Sequence, residues 1–518
     1  MLTRTLSARH RYGLMPILIP ADSHDHRLIS LVHPLDWRNP HGDGRYNLVV
    51  IGAGTAGLVC AAGAAGLGAK VALIERELMG GDCLNFGCVP SKALLRSARA
   101  YADVSRAAEY GIVVPAEIKA DFSAVMTRMR RLRAELADKD SAPRFCALGV
   151  DVFIGEARFS APDTVDVNGQ RLRFSRAVIA TGSRANSLPV QGLAEAGFLT
   201  NETIFSLTAL PARLAIIGGG PLGCELAQAF ARFGARVTVF EAEASILPKE
   251  DPDAAVLVKN ALKRGGIEII EDCRIQNVQK DGNNKAVNVE CGGAQRELAF
   301  DEMLLATGRV PTVNNLGLEA AGVDYDHRTG IKVNDQLRTS NRRIFAAGDV
   351  CSPYKFTHAA DAMARIVIRN ALFYGRERVS DLTIPWCTYT DPEVAHVGLS
   401  GNEARRLGIR FRTLVQPLHD VDRALLDGEG EGFLKIHVRQ GSDRIIGATM
   451  VAKHAGETIS ELTLAISAKV GLTGIGRVIH PYPTQAEAVR KIADAYNRTR
   501  LTPRLHWLFR RWLAWMRR

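Results

Sequence analysis

The feature that most constrains this chain of 518 residues is an internal repeat of one glycine-rich unit. The first copy runs from Tyr46 to Glu77 and the second from Arg213 to Glu243. Each copy predicts an apolar strand, a Gly-x-Gly-x-x-Gly turn, a helix, and a second strand that ends in an acidic residue. The repeated glycines are Gly52, Gly54 and Gly57 in the first copy and Gly218, Gly220 and Gly223 in the second.

Such a turn has a specific physical use. Its first glycine makes the tight turn, its second lets the backbone approach a pyrophosphate, and its third lets the helix pack close to the strand. The helix N-terminus offers unpaired N–H groups and the positive end of its dipole to the phosphates. Glu75 and Glu241, near the ends of the second strands, can accept hydrogen bonds from a ribose. Two copies in this full context predict two bound dinucleotides.

The cysteines point to redox chemistry at one place. There are nine in the chain, too few for a disulfide-stapled secreted scaffold. Seven stand alone, whereas Cys83 and Cys88 lie close together in GGDCLNFGCVPSK. Residues 91–107, rich in Ala, Leu and Arg, predict a helix that begins just after both cysteines, where the dipole favours a thiolate. A zinc half-site or two buried thiols are the alternatives; zinc would need further ligands, so no metal site is predicted.

Eight motifs in order carry a family resemblance. They are GAGTAG at Gly52, GGDCLNFGCVPSK at Gly80, IATGS at Ile179, GGGPLGCE at Gly218, ATGRVPT at Ala306, AAGD at Ala346, DPEVAHVG at Asp391 and PTQAE at Pro483. From about Tyr46 to Ala488 the chain resembles the class I pyridine nucleotide-disulfide oxidoreductases, which include lipoamide dehydrogenase, glutathione reductase and mercuric reductase.

The resemblance implies an α/β fold with two doubly wound Rossmann-like dinucleotide-binding domains and a C-terminal α+β dimerisation domain, in a homodimer. The implied segments are an N-terminal extension (1–45), the first part of the FAD domain (46–190), the NAD(P) domain (191–309), the second part of the FAD domain (310–380), the dimerisation domain (381–488) and a basic amphipathic tail (489–518).

The resemblance also implies a role for each matching residue. FAD would be bound by Gly52, Gly54, Gly57 and Glu75, with Asp349 on the ribitol. Thr181 and Gly182 would lie at the crossing between the FAD and NAD domains, and Gly155 would be a further cofactor-binding residue. The nicotinamide nucleotide would be bound by Gly218, Gly220, Gly223, Glu241 and Gly308. Cys88 would be the charge-transfer thiolate nearest the flavin, and Cys83 the thiol that attacks the substrate. Lys92 would lie near the flavin N5, paired with Glu225.

The second copy favours NADH over NADPH. Glu241 and Glu243 follow its second strand, and no Arg occurs before Arg264. A ribose 2′-phosphate needs nearby cations, whereas a free 2′-hydroxyl suits an acidic residue.

The chain departs from the family at its C-terminal motif. Lipoamide and glutathione enzymes carry a His base before the Pro-Thr, but Tyr482 stands here, while the following Glu487 is kept. Tyrosine, with a pKa of about 10, is a poor base at neutral pH. His480 lies two residues earlier and is better explained as a structural residue. Mercuric reductases also have Tyr here, so the chain resembles that subgroup.

The electron acceptor is predicted only by class. The resemblance implies a small-molecule thiol, disulfide or metal acceptor. Mercuric reductases add a C-terminal cysteine pair, whereas the last cysteine here is Cys387, so an acceptor other than mercury is open. Two further hypotheses remain: a membrane-associated NADH diaphorase or quinone reductase, and a non-enzymatic flavoprotein redox sensor. The first draws on residues 501–518, whose apolar side chains recur at helical spacing with arginines largely off that stripe, as suits an anionic membrane surface. A helix docked on the dimer, or a frayed end, is the alternative.

Charge and hydropathy exclude other classes. The net charge is +11, but residues 490–518 alone hold nine Lys or Arg and one acid, so the nearly neutral body argues against a nucleic-acid partner. No run of about 18 apolar residues predicts a membrane span.

Residues 1–15 faintly resemble a transit peptide, with a start at Met15 as the alternative, and a cytoplasmic location, at most peripheral to the membrane, is expected. The arginines at 128, 130, 131 and 133 predict a solvated helix face.

Overall fold

The computed structural model describes residue 18 and residues 20–115, 117–282 and 284–517, so the expectations about residues 1–15 lie outside the described part. Within that part, residues up to 246 with 265–382 form one compact unit, and residues 247–264 with 383–517 form another. The finer domain boundaries remain predictions. No helix of the described residues is long and apolar enough to cross a membrane.

The helices are α1 (Ser23–Val32), α2 (Thr55–Gly66), α3 (Gly81–Asn85), α4 (Cys88–Ser105), α5 (Phe122–Leu136), α6 (Ala142–Ala147), α7 (Leu193–Ala196), α8 (Pro221–Arg232), α9 (Pro252–Arg264), α10 (Leu318–Ala321), α11 (Thr357–Leu372), α12 (Gly401–Arg406), α13 (Asp422–Leu426), α14 (Ala455–Ser467), α15 (Leu472–Ile475), α16 (Glu487–Thr499) and α17 (Pro503–Trp515).

The strands are β1 (Arg45–Ile51), β2 (Val71–Glu75), β3 (Val150–Ile154), β4 (Ala157–Ala161), β5 (Thr164–Val167), β6 (Gln170–Ile179), β7 (Ser183–Ala185), β8 (Arg213–Ile217), β9 (Arg236–Phe240), β10 (Glu268–Ile270), β11 (Cys273–Asp281), β12 (Asn284–Cys291), β13 (Ala294–Phe300), β14 (Glu302–Leu305), β15 (Arg309–Pro311), β16 (Tyr325–Asp326), β17 (Gly330–Ile331), β18 (Ile344–Ala346), β19 (Pro385–Thr388), β20 (Glu393–Gly398), β21 (Phe411–Pro417), β22 (Phe433–Arg439) and β23 (Ile445–Ala452).

The first repeat lies in a seven-stranded sheet of order β3-β2-β1-β6-β5-β4, with β18 also paired to β6. Strands β3, β2, β1, β6 and β18 run parallel, and β5 pairs antiparallel with both β6 and β4. Residues 48–51 of β1 are all buried, as expected for a central parallel strand that is covered on both faces. The register Ile51↔Ile74 brings the first glycine turn beside Glu75.

The second repeat lies in a four-stranded parallel sheet of order β10-β9-β8-β14. Here the register Ile217↔Phe240 brings Gly218 beside Glu241, as in the first copy. An antiparallel sheet of β11, β12 and β13 accompanies it and shares its apolar cluster. The two repeats thus occupy two separate Rossmann-like sheets, which confirms the predicted fold of this part.

The second unit is an α+β structure, as predicted. Five antiparallel strands in the order β19-β20-β23-β22-β21 form its sheet. Its core is built from both sheet and helices, with Ile436 and Met450 from the strands packed in one cluster with Leu462 of α14 and Val489 of α16.

Part of the N-terminal extension folds against the first unit, and this corrects the prediction for the arginine run. Asp25 of α1 is fully buried and accepts from Arg133 Nη2 at 2.7 Å, and Asp22 pairs with Arg130 Nε at 2.6 Å. Arg130 and Arg133 are therefore buried ion-pair partners, whereas Arg128 and Arg131 are exposed as predicted. The prediction failed because both acidic partners lie about a hundred residues away in the sequence.

Candidate active site

The first glycine turn joins β1 to α2 and is closed by a carboxylate. Gly52 has φ of +100°, and a Cβ on Gly57 would lie 1.8 Å from the carbonyl oxygen of Gly52. Only glycine satisfies both positions without moving the backbone. Glu75 accepts hydrogen bonds from the backbone N–H groups of Ala53 at 2.7 Å and Glu77 at 2.8 Å. Burial raises the pKa of Glu75 above its ordinary value, and these two donors oppose that rise.

The second turn repeats this construction between β8 and α8. Gly218 has φ of +109°, and a Cβ on Gly223 would lie 2.0 Å from the carbonyl oxygen of Gly218. The buried Glu241 accepts from the backbone N–H groups of Gly219 at 2.7 Å and Glu243 at 2.9 Å. The internal repeat therefore extends to hydrogen bonding: each acid holds the turn beside it.

The middle glycine of each turn leaves room for a ligand. Gly54 and Gly220 are the N-caps of α2 and α8. A Cβ on Gly220 would meet no atom within 4 Å, and one on Gly54 would meet only the Cα of Gly81, at 3.8 Å. Both helix N-termini therefore have an approach free of side chains, which fits a pyrophosphate on their N–H groups. The two turns fit the dinucleotides that the sequence predicts.

The other predicted cofactor residues of the first unit lie at strand ends. Thr181 and Gly182 follow β6, and Thr181 Oγ1 donates to the carbonyl of Thr312 at 2.7 Å. Gly308, with φ of +92°, precedes β15. Gly155 follows β3, and a Cβ there would lie 2.5 Å from the side-chain amide of Asn168, so packing alone explains this glycine.

Cys83 and Cys88 lie on two different helices, which corrects one expectation. Cys88 is the first residue of α4, near the predicted N-terminus, but Cys83 lies in the separate short helix α3. The chain leaves the helical conformation at Gly87, with φ of −130° and ψ of −111°, so one helix cannot include both residues. Both thiols are free in the structure.

The surroundings of the two sulfurs shift the pKa values of Cys83 and Cys88 in opposite directions. The hydrogen bond from the Cys83 thiol is the largest influence that lowers the pKa of Cys88, and Thr357 and the charge of Lys92 act in the same direction. Thr357 Oγ1, at the first turn of α11, lies 3.3 Å from Cys88 Sγ. Donation to Cys88, together with burial, raises the pKa of Cys83. Cys88 is thus the sulfur that carries the negative charge, and Cys83 keeps its proton.

Lys92 and Glu225 form an ion pair between α4 and α8. Lys92 Nζ lies 2.8 Å from Glu225 Oε2, with the Glu225 side chain 4% and the Lys92 side chain 38% exposed. The pair joins α4, the helix that begins at Cys88, to α8, the helix of the second glycine turn. The structure brings together the two residues that the sequence paired, and their catalytic role remains a prediction.

A polar network beside the cysteines includes residues that the sequence did not reveal. Asp82 accepts from Asn201 Nδ2 at 2.8 Å and pairs with Arg309 Nη2 at 3.2 Å. Arg309 Nε donates to Ser183 Oγ at 2.8 Å, and Ser183 donates to Asp349 Oδ2 at 2.6 Å. Burial raises the pKa of Asp82. Asp82 and Arg309 each lie within a recognised motif, next to Cys83 and Gly308 respectively. No local sequence pattern, however, predicts that these two residues form an ion pair.

The C-terminal motif lies in the second unit. Tyr482 is 69% exposed, and its hydroxyl donates to Asp422 Oδ2 at 2.8 Å. This bond raises the pKa of Tyr482, so the phenol stays protonated at neutral pH. Glu487, the first residue of α16, is buried. His480 Nε2 lies 2.8 Å from Glu461 Oε1, a contact consistent with the structural role expected for His480.

Two cysteines that stand alone in the sequence are paired in the structure, which corrects that prediction. A disulfide joins Cys273 of β11 to Cys291 of β12. The sequence does not reveal the pair, because only the hairpin between the two residues brings the strand ends together.

Within the described ranges, no group of three or more His, Cys, Asp or Glu residues is arranged to hold a metal ion.

Two family models match the chain. The model described as pyridine nucleotide-disulphide oxidoreductase matches residues 46–364. The model of the dimerisation domain of the same family matches residues 384–493.

Individual relatives agree with these matches. A mercuric reductase of Bacillus cereus is 34% identical over 457 residues, which cover 87% of this chain and 72% of the relative. A dihydrolipoyl dehydrogenase of Thermus scotoductus is 34% identical, with 88% of this chain and 98% of the relative covered. Among solved structures, the HOCl-induced flavoprotein disulfide reductase RclA from Escherichia coli superposes with a TM-score of 0.77 at 28% identity, over 87% of this chain and 99% of that one.

Proposed function

Because the chain belongs to the pyridine nucleotide-disulphide oxidoreductase family, whose members are FAD-dependent oxidoreductases, we propose that Cys83 and Cys88 are its redox-active pair. Electrons would pass from the nicotinamide nucleotide through FAD to this pair and then to a small-molecule acceptor. The single observation that carries the proposal is the environment of Cys88: Cys83, Thr357 and Lys92 all lower its pKa. A thiolate held in this way is the reactive form of cysteine.

The two glycine turns supply the two cofactor sites of the proposal. The turn at Gly52–Gly57 would hold the FAD pyrophosphate, with Asp349 on the ribitol, and the turn at Gly218–Gly223 would hold the nicotinamide nucleotide. FAD, when bound, accepts a hydride and returns two electrons to a disulfide. We propose NADH as the preferred donor, because Glu241 and Glu243 at the second turn would repel a 2′-phosphate. The Lys92–Glu225 pair would stabilise charge that develops beside the flavin.

The thiol chemistry then balances in two exchanges. Two electrons and one proton convert the Cys83–Cys88 disulfide to a Cys83 thiol and a Cys88 thiolate. Cys83 loses its proton and attacks one sulfur of a disulfide acceptor, which forms a mixed disulfide and releases the first thiol. The Cys88 thiolate attacks the sulfur of Cys83, which restores the protein disulfide and releases the second half of the acceptor as a thiolate that takes a second proton from solvent. A soft metal ion bound by the two thiolates is the other acceptor class within this proposal.

The raised pKa of Cys83 means that its attack on the acceptor is coupled to loss of its proton, which passes through solvent to the first leaving thiolate. The dimerisation domain supports a homodimer, and we propose that the C-terminal motif of the partner subunit completes each site. Because the hydroxyl of Tyr482 keeps its proton at neutral pH, its proposed role is to donate a hydrogen bond. Glu487 would orient this segment. A lipoamide-type mechanism with a histidine base at this position is not part of the proposal.

Serine substitutions test the pair directly. Cys83→Ser and Cys88→Ser should each lower NADH-driven turnover by at least about a hundredfold while FAD stays bound, because one thiol cannot complete the exchange. Cys146→Ser, at an exposed free cysteine, is the matched control and should keep full turnover. Lipoamide, Hg(II) and a quinone are offered separately as acceptors. Unchanged turnover in both active-site variants would exclude the mechanism.

A second candidate function, a membrane-associated reductase, is favoured by α17. None of the residues of this helix is buried, and Trp512, Leu513 and Trp515 are 58%, 55% and 65% exposed. No acid occurs in residues 501–518, and arginines flank the apolar face. We propose that this helix lies in the surface of an anionic bilayer, with its apolar side chains between the headgroups. The enzyme would then be cytoplasmic and peripheral to the membrane, where a lipid-phase quinone is within reach.

Vesicle sedimentation tests the membrane contact. The full chain should sediment with phosphatidylglycerol vesicles and much less with phosphatidylcholine alone, because the arginines need anionic headgroups. Deletion of residues 501–518, or Trp512→Ala with Trp515→Ala, should abolish sedimentation. Leu426→Ala, at another exposed apolar residue of the same unit, should leave it unchanged. A tail that docks on the dimer instead would give no sedimentation with either lipid.

A further inference from the structure

The Cys273–Cys291 pair lies at the open end of a hairpin. Cys273 is the first residue of β11 and Cys291 is the last residue of β12, and the register of the two strands places them directly opposite each other. Their Cα atoms are 4.4 Å apart, as in the closely spaced type of antiparallel pair. Such a pair can form and break a disulfide with little movement of the strands.

The two cysteines differ in exposure. Cys273 is 3% exposed and belongs to an apolar cluster with Ile217 and Phe240, the last residues of β8 and β9. Cys291 is only partly buried and packs against the edge of the same cluster. Cys291 is therefore the more accessible of the two cysteines, while Cys273 is anchored to the core that carries the second glycine turn.

A short path of hydrogen bonds leads from Cys273 to that turn. The backbone N–H of Cys273 donates to the carbonyl oxygen of Glu241 at 3.0 Å, and that of Asp272 donates to the carbonyl of Glu243 at 3.1 Å. The carboxylate of Glu241 in turn accepts from the backbone N–H of Gly219 at 2.7 Å. The start of β11 therefore supports the loop of Glu241 and Glu243, which lies beside the second glycine turn.

We propose that Cys273 and Cys291 form a second thiol–disulfide site, oxidised by low-molecular-weight disulfides such as glutathione disulfide, and that this oxidation tightens nucleotide binding at the second turn. The inference rests on the proposed function only in placing the nicotinamide nucleotide there. The two protein thiols lose two electrons and two protons, which reduce one small disulfide to two thiols. Exchange begins at Cys291 through a mixed disulfide, which Cys273 then resolves.

The direction of the effect follows from the hairpin. The disulfide fixes the first residue of β11 to β12, so the loop that includes Glu241 and Glu243 is ordered before the nucleotide arrives. In the reduced form this end of the hairpin is held by strand pairing and hydrogen bonds alone, so the loop fluctuates more and nucleotide binding must supply part of the order. Reduction should therefore weaken nucleotide binding by about fivefold, at the low end of the range that allosteric coupling between sites covers.

The test uses the full chain with FAD bound and with Cys83→Ser and Cys88→Ser, so that the first pair takes no part in the exchange. The protein is equilibrated at a series of glutathione to glutathione disulfide ratios. Alkylation and mass spectrometry measure the oxidised fraction of Cys273 and Cys291, and calorimetry measures the affinity for NAD+. We expect the NAD+ dissociation constant to rise about fivefold as the pair is reduced.

Cys273→Ser with Cys291→Ser in the same background should bind NAD+ like the reduced form at every ratio. Cys146→Ser is the matched control and should follow the parent protein. NAD+ affinity that does not change with the ratio, or cysteines that remain alkylated throughout, would overturn this inference alone. A failure to bind NAD+ in any state would also overturn the assignment of the nucleotide site in the proposed function.

Discussion

At the residue scale, the reactivity of the site depends on how two neighbouring thiols are made different. Cys83 donates a hydrogen bond to Cys88, so the same interaction raises one pKa and lowers the other. Thr357 adds a second donor to Cys88. The charge of Lys92, already balanced by Glu225, adds a weaker attraction. One thiolate and one thiol, rather than two equal groups, is the state that thiol exchange needs.

The Thr357 contact predicts a pH effect. The lowered pKa of Cys88 means that its thiolate persists as the pH falls below about 8.5, the ordinary value for cysteine. Thr357→Val removes a donor to the charged form, so the pKa of Cys88 should rise by about one unit. The thiolate would then be lost at higher pH. The measurement is the pH titration of the long-wavelength thiolate–flavin absorbance in the two-electron-reduced enzyme.

Ser97→Ala is the control for this titration. Ser97 lies on α4, the helix of Cys88, but its hydroxyl donates to the carbonyl of Ala93. Its curve should match that of the parent enzyme. A Thr357→Val curve unchanged from the parent, or moved to lower pH, would contradict the assigned contact.

Local sequence predicted one half of this site and not the other. Cys83, Cys88 and Lys92 lie in one continuous motif, so their neighbourhood is evident from spacing alone. Thr357 is 269 residues from Cys88 and Arg309 is likewise remote from Asp82, and both belong to contacts that only the tertiary fold creates. Without homologues to reveal paired changes, a single sequence contains no signal for such pairs.

At the element scale, the two strand–turn–helix units are the most predictable parts of the chain. Their glycines are required by contacts within the unit itself, such as that of Gly57 with Gly52. The start of α4 was less predictable, because Gly87 ends one helical segment and the next begins at Cys88. The disulfide between β11 and β12 was missed because its residues become neighbours only through strand pairing.

The close approach in the first turn makes Gly57→Ala a sharp test. The added Cβ would overlap the carbonyl of Gly52, so the turn must move. We expect a loss of about 1–3 kcal/mol in the free energy of unfolding and a clear fall in the FAD content of the purified protein. Gly66→Ala at the end of the same helix meets no atom within 4 Å and should retain full FAD content. Equal FAD content in both variants would contradict the proposal that FAD binds at the Gly52–Gly57 turn.

At the scale of the whole molecule, the first unit includes more of the N-terminal extension than the motifs suggest. The helix α1 buries Leu28 and Val32 beside the Asp25–Arg133 pair. Arg133 Nη1 also donates to the carbonyl of Asn85, which lies between Cys83 and Cys88. Burial lowers the pKa of Arg133, although Asp25 favours its charged form. The extension therefore supports the segment that carries Cys83 and Cys88.

This buried pair predicts a large effect on stability. Asp25→Ala leaves the buried charge of Arg133 without its partner and should cost about 3–5 kcal/mol in the free energy of unfolding. Asp138→Ala removes the exposed pair with Arg27, 57% and 53% exposed, and should cost less than about 1 kcal/mol. Urea unfolding of the FAD-bound protein measures both. Similar losses in the two variants would show that the extension is not part of the folded unit.

The central claim is that electrons reach the acceptor through Cys83 and Cys88. The most direct measurement is anaerobic reduction of the oxidised protein with one equivalent of NADH, followed by denaturation in a thiol-alkylating reagent and mass spectrometry, with the absorbance spectrum recorded before the quench. The account predicts that Cys83 and Cys88 both become alkylated and that a long-wavelength thiolate–flavin band appears. The claim would be contradicted if the flavin were bleached while Cys83 and Cys88 remained joined in a disulfide, and a quinone then reoxidised the flavin directly. That result would place the chemistry on the flavin alone.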